Sequence, residues 1–482
     1  MSFPAASLGS LTPAAFLARR PRAVVVASLV ALAVSLAAVL FNPAWTDEVF
    51  YADPGACLAM GRGFLSNGVS PLGFGAPWGL SNPGLPLLLA GWFRLFGFGQ
   101  FAAHAFFFVV QLAGTALCLR WVGRRHALPA WGALAALAAG MTLHSLAGNT
   151  IFHARHDAFA ALLFAWFLEG MFPVRPSGAR HFLLFALGLA CVFLGLQFCG
   201  FFALAAAGTF LWRRDRGSFL AGLSLAAGMA VGLLLLRWAY GEMGVWQAFL
   251  AHRADNFGRA FRPDKFYVSK EFLVFFPACL LLVLTEGLAG RGWRNEVAKA
   301  GWCGLLLLLG VPVLIQFVGL WQSPFSWMVA APLLLAALPV CVAAPFSRGG
   351  WFVGVVAGLV LFSCAFRVRE LPLAVREAGR RADVVAEFRR LSGPSDAALG
   401  SMSLFYGLRA SGRPVYWPYD RYQPMHPGLV AAARWLVLAE ADRAIVLELI
   451  GGEWEQAYAT DQAEPRGPQG PYVILRRKAP AR

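Results

Sequence analysis

The sequence predicts a polytopic α-helical membrane protein with about eleven transmembrane helices, interfacial helices in the first outer loop and a small extracytoplasmic α/β domain at the C-terminus. Three observations predict it. Of 482 residues, 59% are apolar and only 14% charged, and a water-soluble fold of that composition would lack the polar surface to cover itself. Apolar runs of membrane-spanning length recur along the chain. The loops between them alternate in charge.

The first run, 23–41, follows Arg19, Arg20 and Arg22. No small-x-small cleavage site precedes Asp47, so the run reads as a retained helix with its N-terminus in the cytoplasm and not as a signal peptide. Further spans fall near 99–119, 130–150, 158–174, 182–197, 199–212, 218–238, 271–288, 300–320, 326–345 and 350–366. The run between Arg180 and Arg213 reads as one re-entrant pair or as two short helices. An odd number of spans puts the C-terminus outside.

Charge supports this arrangement. The loops assigned to the inside hold Arg120, Arg124 and Arg125, then Arg175 and Arg180, then Arg213, Arg214 and Arg216, then Arg291, Arg294 and Lys299, and finally Arg348. Short inner loops rich in Lys and Arg are the expected pattern for an inner (cytoplasmic) membrane protein. The net charge of +16 is therefore assigned to topology and to anionic membrane lipids. Basic and aromatic residues do not alternate on a polar surface, which excludes a nucleic-acid partner. The eight cysteines lie mostly in apolar runs, at spacings that match neither a zinc site nor a disulfide framework.

Two outer segments are too long to be simple connectors. Residues 42–100 carry Asp47, Glu48 and Asp53, then an amphipathic stretch through Tyr51 and Leu58, then Asn82-Pro83-Gly84-Leu85-Pro86. Residues 240–270 mix acids with Arg253, Arg259, Arg262, Lys265 and Lys270. After Arg367 the composition becomes mixed, with a charged helical pattern over 375–391 and β-like runs at 398–405, 414–417, 444–449 and 472–475. The division is thus a membrane domain over 1–367 and a soluble domain over 368–482.

Several residues are candidates for chemistry. Asp47 and Glu48 sit just past the first span, where nearby lipid raises a carboxyl pKa toward the range useful for proton abstraction; a hydrated helix end explains the same pair. Arg155, His156 and Asp157 open the fourth span, either as a helix cap with a local ion pair or as part of the cavity that Asp47 faces. His153, His156 and Asp157 have a spacing that brings three ligand atoms together only on a helix. That is no clear ligand set, so no cofactor is assigned and a divalent metal lacks support. Arg253, Arg259, Arg262 and Lys265 are suited to a lipid phosphate at headgroup depth, or are solvated charges balanced by neighbouring acids. No P-loop, dinucleotide fingerprint or nucleophile elbow is present, which disfavours nucleotide-driven chemistry.

Asp47-Glu48, the following Tyr51, Ala59 and Gly61-Arg62-Gly63-Phe64, then Asn82 to Gly97, and later Ala154-Arg155-His156-Asp157-Ala158-Phe159, together resemble the GT-C membrane glycosyltransferases. The likeness is to the family 39 branch, which holds protein O-mannosyltransferases and lipid A aminoarabinose transferases. It covers about the first half of the chain and fades after about residue 270. The resemblance implies inverting transfer of a hexose or pentose, outside the cytoplasmic membrane, from a polyprenyl-phosphate sugar to a glycan, lipid or protein acceptor. It implies that Asp47 is the general base, that Glu48 is the second acid of the pair and that Asp157 is the acidic position that binds acceptor or supports the base. Tyr51, Arg155 and His156 then line the substrate site. Arg259 looks like the basic position that contacts donor phosphate, with Arg253, Arg262 and Lys265 beside it. The chain departs from the family where Asn82-Pro83-Gly84-Leu85-Pro86 replaces a double proline and tyrosine, and where Gln197 stands in place of a lysine common among relatives.

A lipid-linked sugar flippase or transporter without transferase chemistry is the rival reading, since it also needs many spans and intramembrane charge. A noncatalytic scaffold is a second. The concentration of charge in long outer loops favours the transferase.

Overall fold

The computed structural model describes residues 19–44, 46–66, 76–79, 81–124, 129–147, 156–173, 178–257, 276–277, 280, 284, 350–417, 427–460 and 471–478. The side chains of Asp47, Asp157 and Arg253 lie outside that description, as do Arg155, Arg259, Arg262 and Lys265 and most of the spans expected between 271 and 345. Each expected span whose residues are described is a helix, and the expected total of about eleven rests on the remainder.

Helix α1 (Pro21–Phe41) begins with proline at a first-turn position, where the missing N–H is not needed. It ends at Asn42, whose extended backbone suits a residue that precedes proline. Helix α2 (Thr46–Ala59) follows, then a two-strand ribbon, β1 (Leu65–Ser66) with β2 (Ala76–Pro77). Helix α3 (Gly84–Phe96) lies against α2 at Gly55, where a Cβ would stand 3.0 Å from the carbonyl oxygen of Pro86. Helices α4 (Gln100–Gly123), α5 (Ala130–Ala147), α6 (Ala160–Met171), α7 (Ala179–Leu194), α8 (Leu196–Arg213) and α9 (Arg216–Glu242) continue the bundle. A 3₁₀ turn over His156–Phe159 precedes α6, and α10 (Trp246–Phe257) follows α9.

Helices α1, α4 and α9 are each long and apolar enough to cross a membrane, while α3, α5, α6, α7 and α8 are shorter apolar helices. The run between Arg180 and Arg213 is two helices, α7 and α8, parted at Gly195. Small residues let backbones approach, which is how helices pack where lipid removes the hydrophobic drive. A Cβ on Gly228 of α9 would overlap the carbonyl oxygen of Phe185 on α7, and one on Gly188 would overlap that of Leu225.

The connections gather at two ends. At one, Arg124 pairs with Glu169 at 2.8 Å and Arg213 stacks over Phe172 at 4.8 Å, joining the loops expected inside. Asp215 caps α9 there, accepting from the Ser218 N–H at 2.7 Å. At the other end lie α2, the 3₁₀ turn, the α7–α8 joint and the end of α9. The chain is a polytopic helical membrane protein.

Helix α11 (Gly350–Leu391) runs unbroken through position 367, so the change from apolar to charged sequence falls inside one helix. Its apolar half packs on α1 and α5, with the Ser363 hydroxyl 3.4 Å from the Thr142 carbonyl oxygen. Its charged half reaches the end of α1, where Arg381 donates to the Phe41 carbonyl at 3.1 Å. Beyond it come β3 (Ala397–Gly400), α12 (Phe405–Ala410), β4 (Val415–Tyr416), α13 (Pro427–Ala432), β5 (Ala433–Ala439), α14 (Glu440–Ile450), β6 (Trp454–Ala459) and β7 (Tyr472–Arg477). The strands form one sheet in the order β4-β3-β5-β7-β6, parallel among β4, β3 and β5 and antiparallel from β5 through β7 to β6.

The β-like run at 444–449 is helical. Val446 and Ile450 are buried and Ile445 and Leu449 exposed, a period of four that the β-branched residues concealed; acids in the first turn and Gly451 at the end frame it as a helix. The central strand is instead Ala433–Ala439, buried at every position but Arg434. The run expected at 398–405 is a strand only to Gly400 and then turns into α12.

Candidate functional site: the α2 end of the bundle

Helix α2 brings Asp47, Glu48, Tyr51 and Asp53 onto 14 residues. The Tyr51 hydroxyl lies 3.0 Å from Nδ1 of His156 and 3.4 Å from the Ser81 hydroxyl. The Gln197 side-chain amide meets Nε2 of His156. With the amide N–H donating to Nε2, the ring proton sits on Nδ1 and is donated to the Tyr51 hydroxyl; turning the amide would reverse both bonds. The first outer loop, the 3₁₀ turn and the first turn of α8 are thus joined through one imidazole.

Ser81 anchors this cluster. Its carbonyl accepts from the Tyr240 hydroxyl at 2.5 Å, which ties the end of α9 to the segment before α3. Next to it, Asn82 donates to the Val192 carbonyl at 2.5 Å, and a Cβ on Gly84 would stand 2.6 Å from the Phe193 carbonyl oxygen. The Asn82-Pro83-Gly84 departure therefore has a local reason: an amide donor and a residue without a side chain seat this turn on the end of α7.

An aromatic wall completes the site. Trp78 is fully buried between Phe50, Tyr51 and Phe64, with ring centroids 5.5, 6.3 and 5.5 Å away. Phe50 stacks on His252 of α10 at 6.0 Å. Since α10 leads directly into the basic segment 253–270, that contact fixes where the segment starts, one helical turn from Asp47 along α2.

Glu48 does not line an open cavity. It is fully buried, and its Oε1 is 2.9 Å from Nε2 of His104 on α4. Nδ1 of His104 donates to the Val39 carbonyl at 2.8 Å. The Glu48 carboxyl and the His104 imidazole thus meet in one hydrogen bond inside the fold. Five residues on, Asp53 forms an ion pair with Arg409 of α12 at 3.0 Å and accepts from the Ser66 hydroxyl at 2.8 Å, with both charged side chains almost fully buried. The same guanidinium donates to the Cys57 thiol at 2.7 Å. Burial and the adjacent Asp53 charge push the Cys57 thiol up to about 11, against the pull of Arg409, so it stays protonated. Tyr406, also on α12, is held neutral well above the ordinary phenol value by its burial and by the charge of neighbouring Glu48.

Of the residues singled out in the sequence, Tyr51 and His156 are brought together, and the backbones carrying Asp47 and Asp157 come with them. Arg253 lies on α10, beside His252. Sequence reasoning missed Ser81, His104, Gln197 as a partner of His156, Tyr240, Arg409 and Tyr406. A lone His in the apolar run of α4 was the one available signal for the Glu48 partner. Among the described residues, no three His, Cys, Asp or Glu side chains gather as a metal set.

No family model matches the chain, and no curated protein matches it in sequence. Solved structures do. The crystal structure of ArnT from Cupriavidus metallidurans bound to undecaprenyl phosphate is similar with a TM-score of 0.56 and 14% identity, covering 94% of this chain and 98% of that one. Its apo state gives a TM-score of 0.54 and 15% identity over 94% and 97% of the two chains. The chain has the GT-C membrane fold.

Proposed function

We propose that the chain is an integral membrane glycosyltransferase that moves a sugar from a polyprenyl-phosphate donor to an acceptor hydroxyl, with inversion, on the outer side of the inner membrane. The 3.0 Å contact between Tyr51 and His156 carries the reading, because it ties the helix that bears Asp47 to the turn that bears Asp157. The fold shared with ArnT, a protein whose structure holds undecaprenyl phosphate, supports a lipid-linked donor. The N-terminus is then cytoplasmic and the 368–482 region extracytoplasmic.

In this reading Asp47 takes the acceptor proton and Asp157 binds or orients the acceptor. Tyr51, His156 and Arg155 contact sugar. Arg259, with Arg253, Arg262 and Lys265, meets the phosphate at headgroup depth and stabilises the charge that develops as it leaves. Phosphate is a fair leaving group, so no general acid is demanded, and attack from the opposite face inverts the anomeric centre. Glu48 contributes by placement, since His104 takes up its carboxylate.

The test is genetic and chemical. Cells lacking the protein lose a sugar from one envelope glycoconjugate, read by mass spectrometry of extracted lipids, glycans and proteins. Wild type restores it and Asp47→Asn does not, although it reaches the membrane at the wild-type level. Full restoration by the Asn variant would refute the base assignment, and an unchanged glycoconjugate profile would favour the flippase or scaffold readings.

A further inference from the structure

Helix α12 contacts α2 at both ends of the segment that matters. Arg409 pairs with Asp53 at 3.0 Å and donates to Cys57 at 2.7 Å, so one guanidinium grips two residues a helical turn apart. Three residues earlier on α12, the Tyr406 ring packs edge-on against His104 with centroids 6.0 Å apart, and His104 is the partner of Glu48. Phe98, before α4, fills the remaining space with its ring 5.6 Å from Tyr406 and 6.0 Å from Phe405. Asp53 and Arg409 are 0% and 2% exposed, so bulk solvent screens the pair little. A surface ion pair would add little and tolerate loss; a buried one is costly to break on one side only, and its charged hydrogen bonds fix geometry closely.

We infer that α12 is a clamp on the helix carrying Asp47, with Arg409 and Tyr406 as positioning residues, so that the C-terminal domain is a working part of the site. This rests on the transferase reading given above. Glu48 and Asp53 lie on either side of Tyr51 on α2, and both are fixed by groups outside α2. The N-terminal turn of α2 is free to shift only if these holds release. A displacement of about an ångström at a reacting group is enough to lower a rate by about 100-fold.

The test uses the full-length chain. Arg409→Gln and Asp53→Asn each leave one buried charge alone, and both lower thermal stability. The double variant R409Q/D53N carries no buried charge and regains stability. Two readouts then decide. The first is Cys57, labelled with a membrane-impermeant maleimide in proteoliposomes, with Cys57→Ser as the background control: labelling is slow in wild type and at least about 10-fold faster in the double variant. The second is restoration of the missing glycoconjugate in cells, which in the double variant stays about 10-fold below wild type despite recovered stability. Transfer that recovers together with stability would show that the pair only holds the fold and would overturn the clamp. Cys57 labelling unchanged in every variant would overturn it as well. If wild type itself restores no glycoconjugate, the transferase reading fails, while the labelling result still decides whether α12 holds α2.

Discussion

Tyr51 and His156 stand 105 positions apart in sequence and 3.0 Å apart in space. Their contact is part of a chain of hydrogen bonds from Ser81 through Tyr51 and His156 to Gln197, which crosses three separate segments of the protein. Tyr51→Phe removes the hydroxyl at its centre while keeping the ring against Trp78. Transfer is expected to fall by about 10- to 100-fold, with stability changed by only about 1 kcal/mol. Parallel measurements of glycoconjugate restoration and thermal unfolding check this, and a Phe variant of wild-type activity would remove Tyr51 from the site.

Glu48 and His104 form a buried pair, 0% and 1% exposed. Glu48→Ala leaves the imidazole without its partner and is expected to destabilise by about 3 kcal/mol, whereas Glu48→Gln keeps a hydrogen-bonding group and costs less. The double variant Glu48→Leu with His104→Phe replaces both partners by apolar groups and should be milder than Glu48→Ala. Thermal unfolding of detergent-solubilised protein ranks the three. A Glu48→Ala variant as stable as wild type would show that the pair is not held as described.

Close helix packing gives a prediction that needs no functional assay. Gly228→Ala forces α7 and α9 apart at the Phe185 carbonyl and is expected to lower stability by about 1 to 3 kcal/mol. Gly222→Ala, six residues earlier, meets only Ala206 at an ordinary 3.8 Å and should be neutral or stabilising. Equal unfolding temperatures for the two variants would contradict the crossing.

The C-terminal sheet has an acid-sensitive fastening. Asp396 accepts from the Trp435 indole at 3.0 Å and from the Gly393 N–H at 2.9 Å, and Arg434 is 3.2 Å away. These contacts hold its carboxyl below the ordinary value of 3.8, the Trp435 bond most strongly. A depressed carboxyl gives stability that is fully present above the unfolded value and is lost as pH falls through the folded one. Asp396→Asn should therefore lower the unfolding temperature at pH 7, and the gap from wild type should narrow as pH drops below about 4. A gap that is constant from pH 7 to pH 3 would contradict this.

Much of the architecture was legible because lipid imposes a simple rule. A run of about 20 apolar residues must become a helix, and the arginines at its ends must stay in water. The resemblance groups Asp47, Tyr51, His156 and Asp157, and of these the geometry joins Tyr51 to His156, a link between α2 and the 3₁₀ turn that spacing does not supply. Arg409 and Tyr406 were not legible. Nothing in Phe405-Tyr406-Gly407-Leu408-Arg409-Ala410 says that its arginine meets a carboxylate more than 300 residues earlier. The helix at 440–450 was misjudged because Ile445 and Val446 favour strands locally, while burial on one face decided the outcome.

The proposed transferase needs Asp47 and Asp157 to share one hollow with a lipid-borne phosphosugar. A structure of the protein in lipid nanodiscs, solved with a polyprenyl-phosphate sugar bound, tests it most directly. The sugar is expected between the Asp47 and Asp157 carboxylates, beside Tyr51 and His156, with the phosphate toward the 253–270 segment. A donor seated at the opposite end of the bundle, near Arg124 and Arg213, would contradict it.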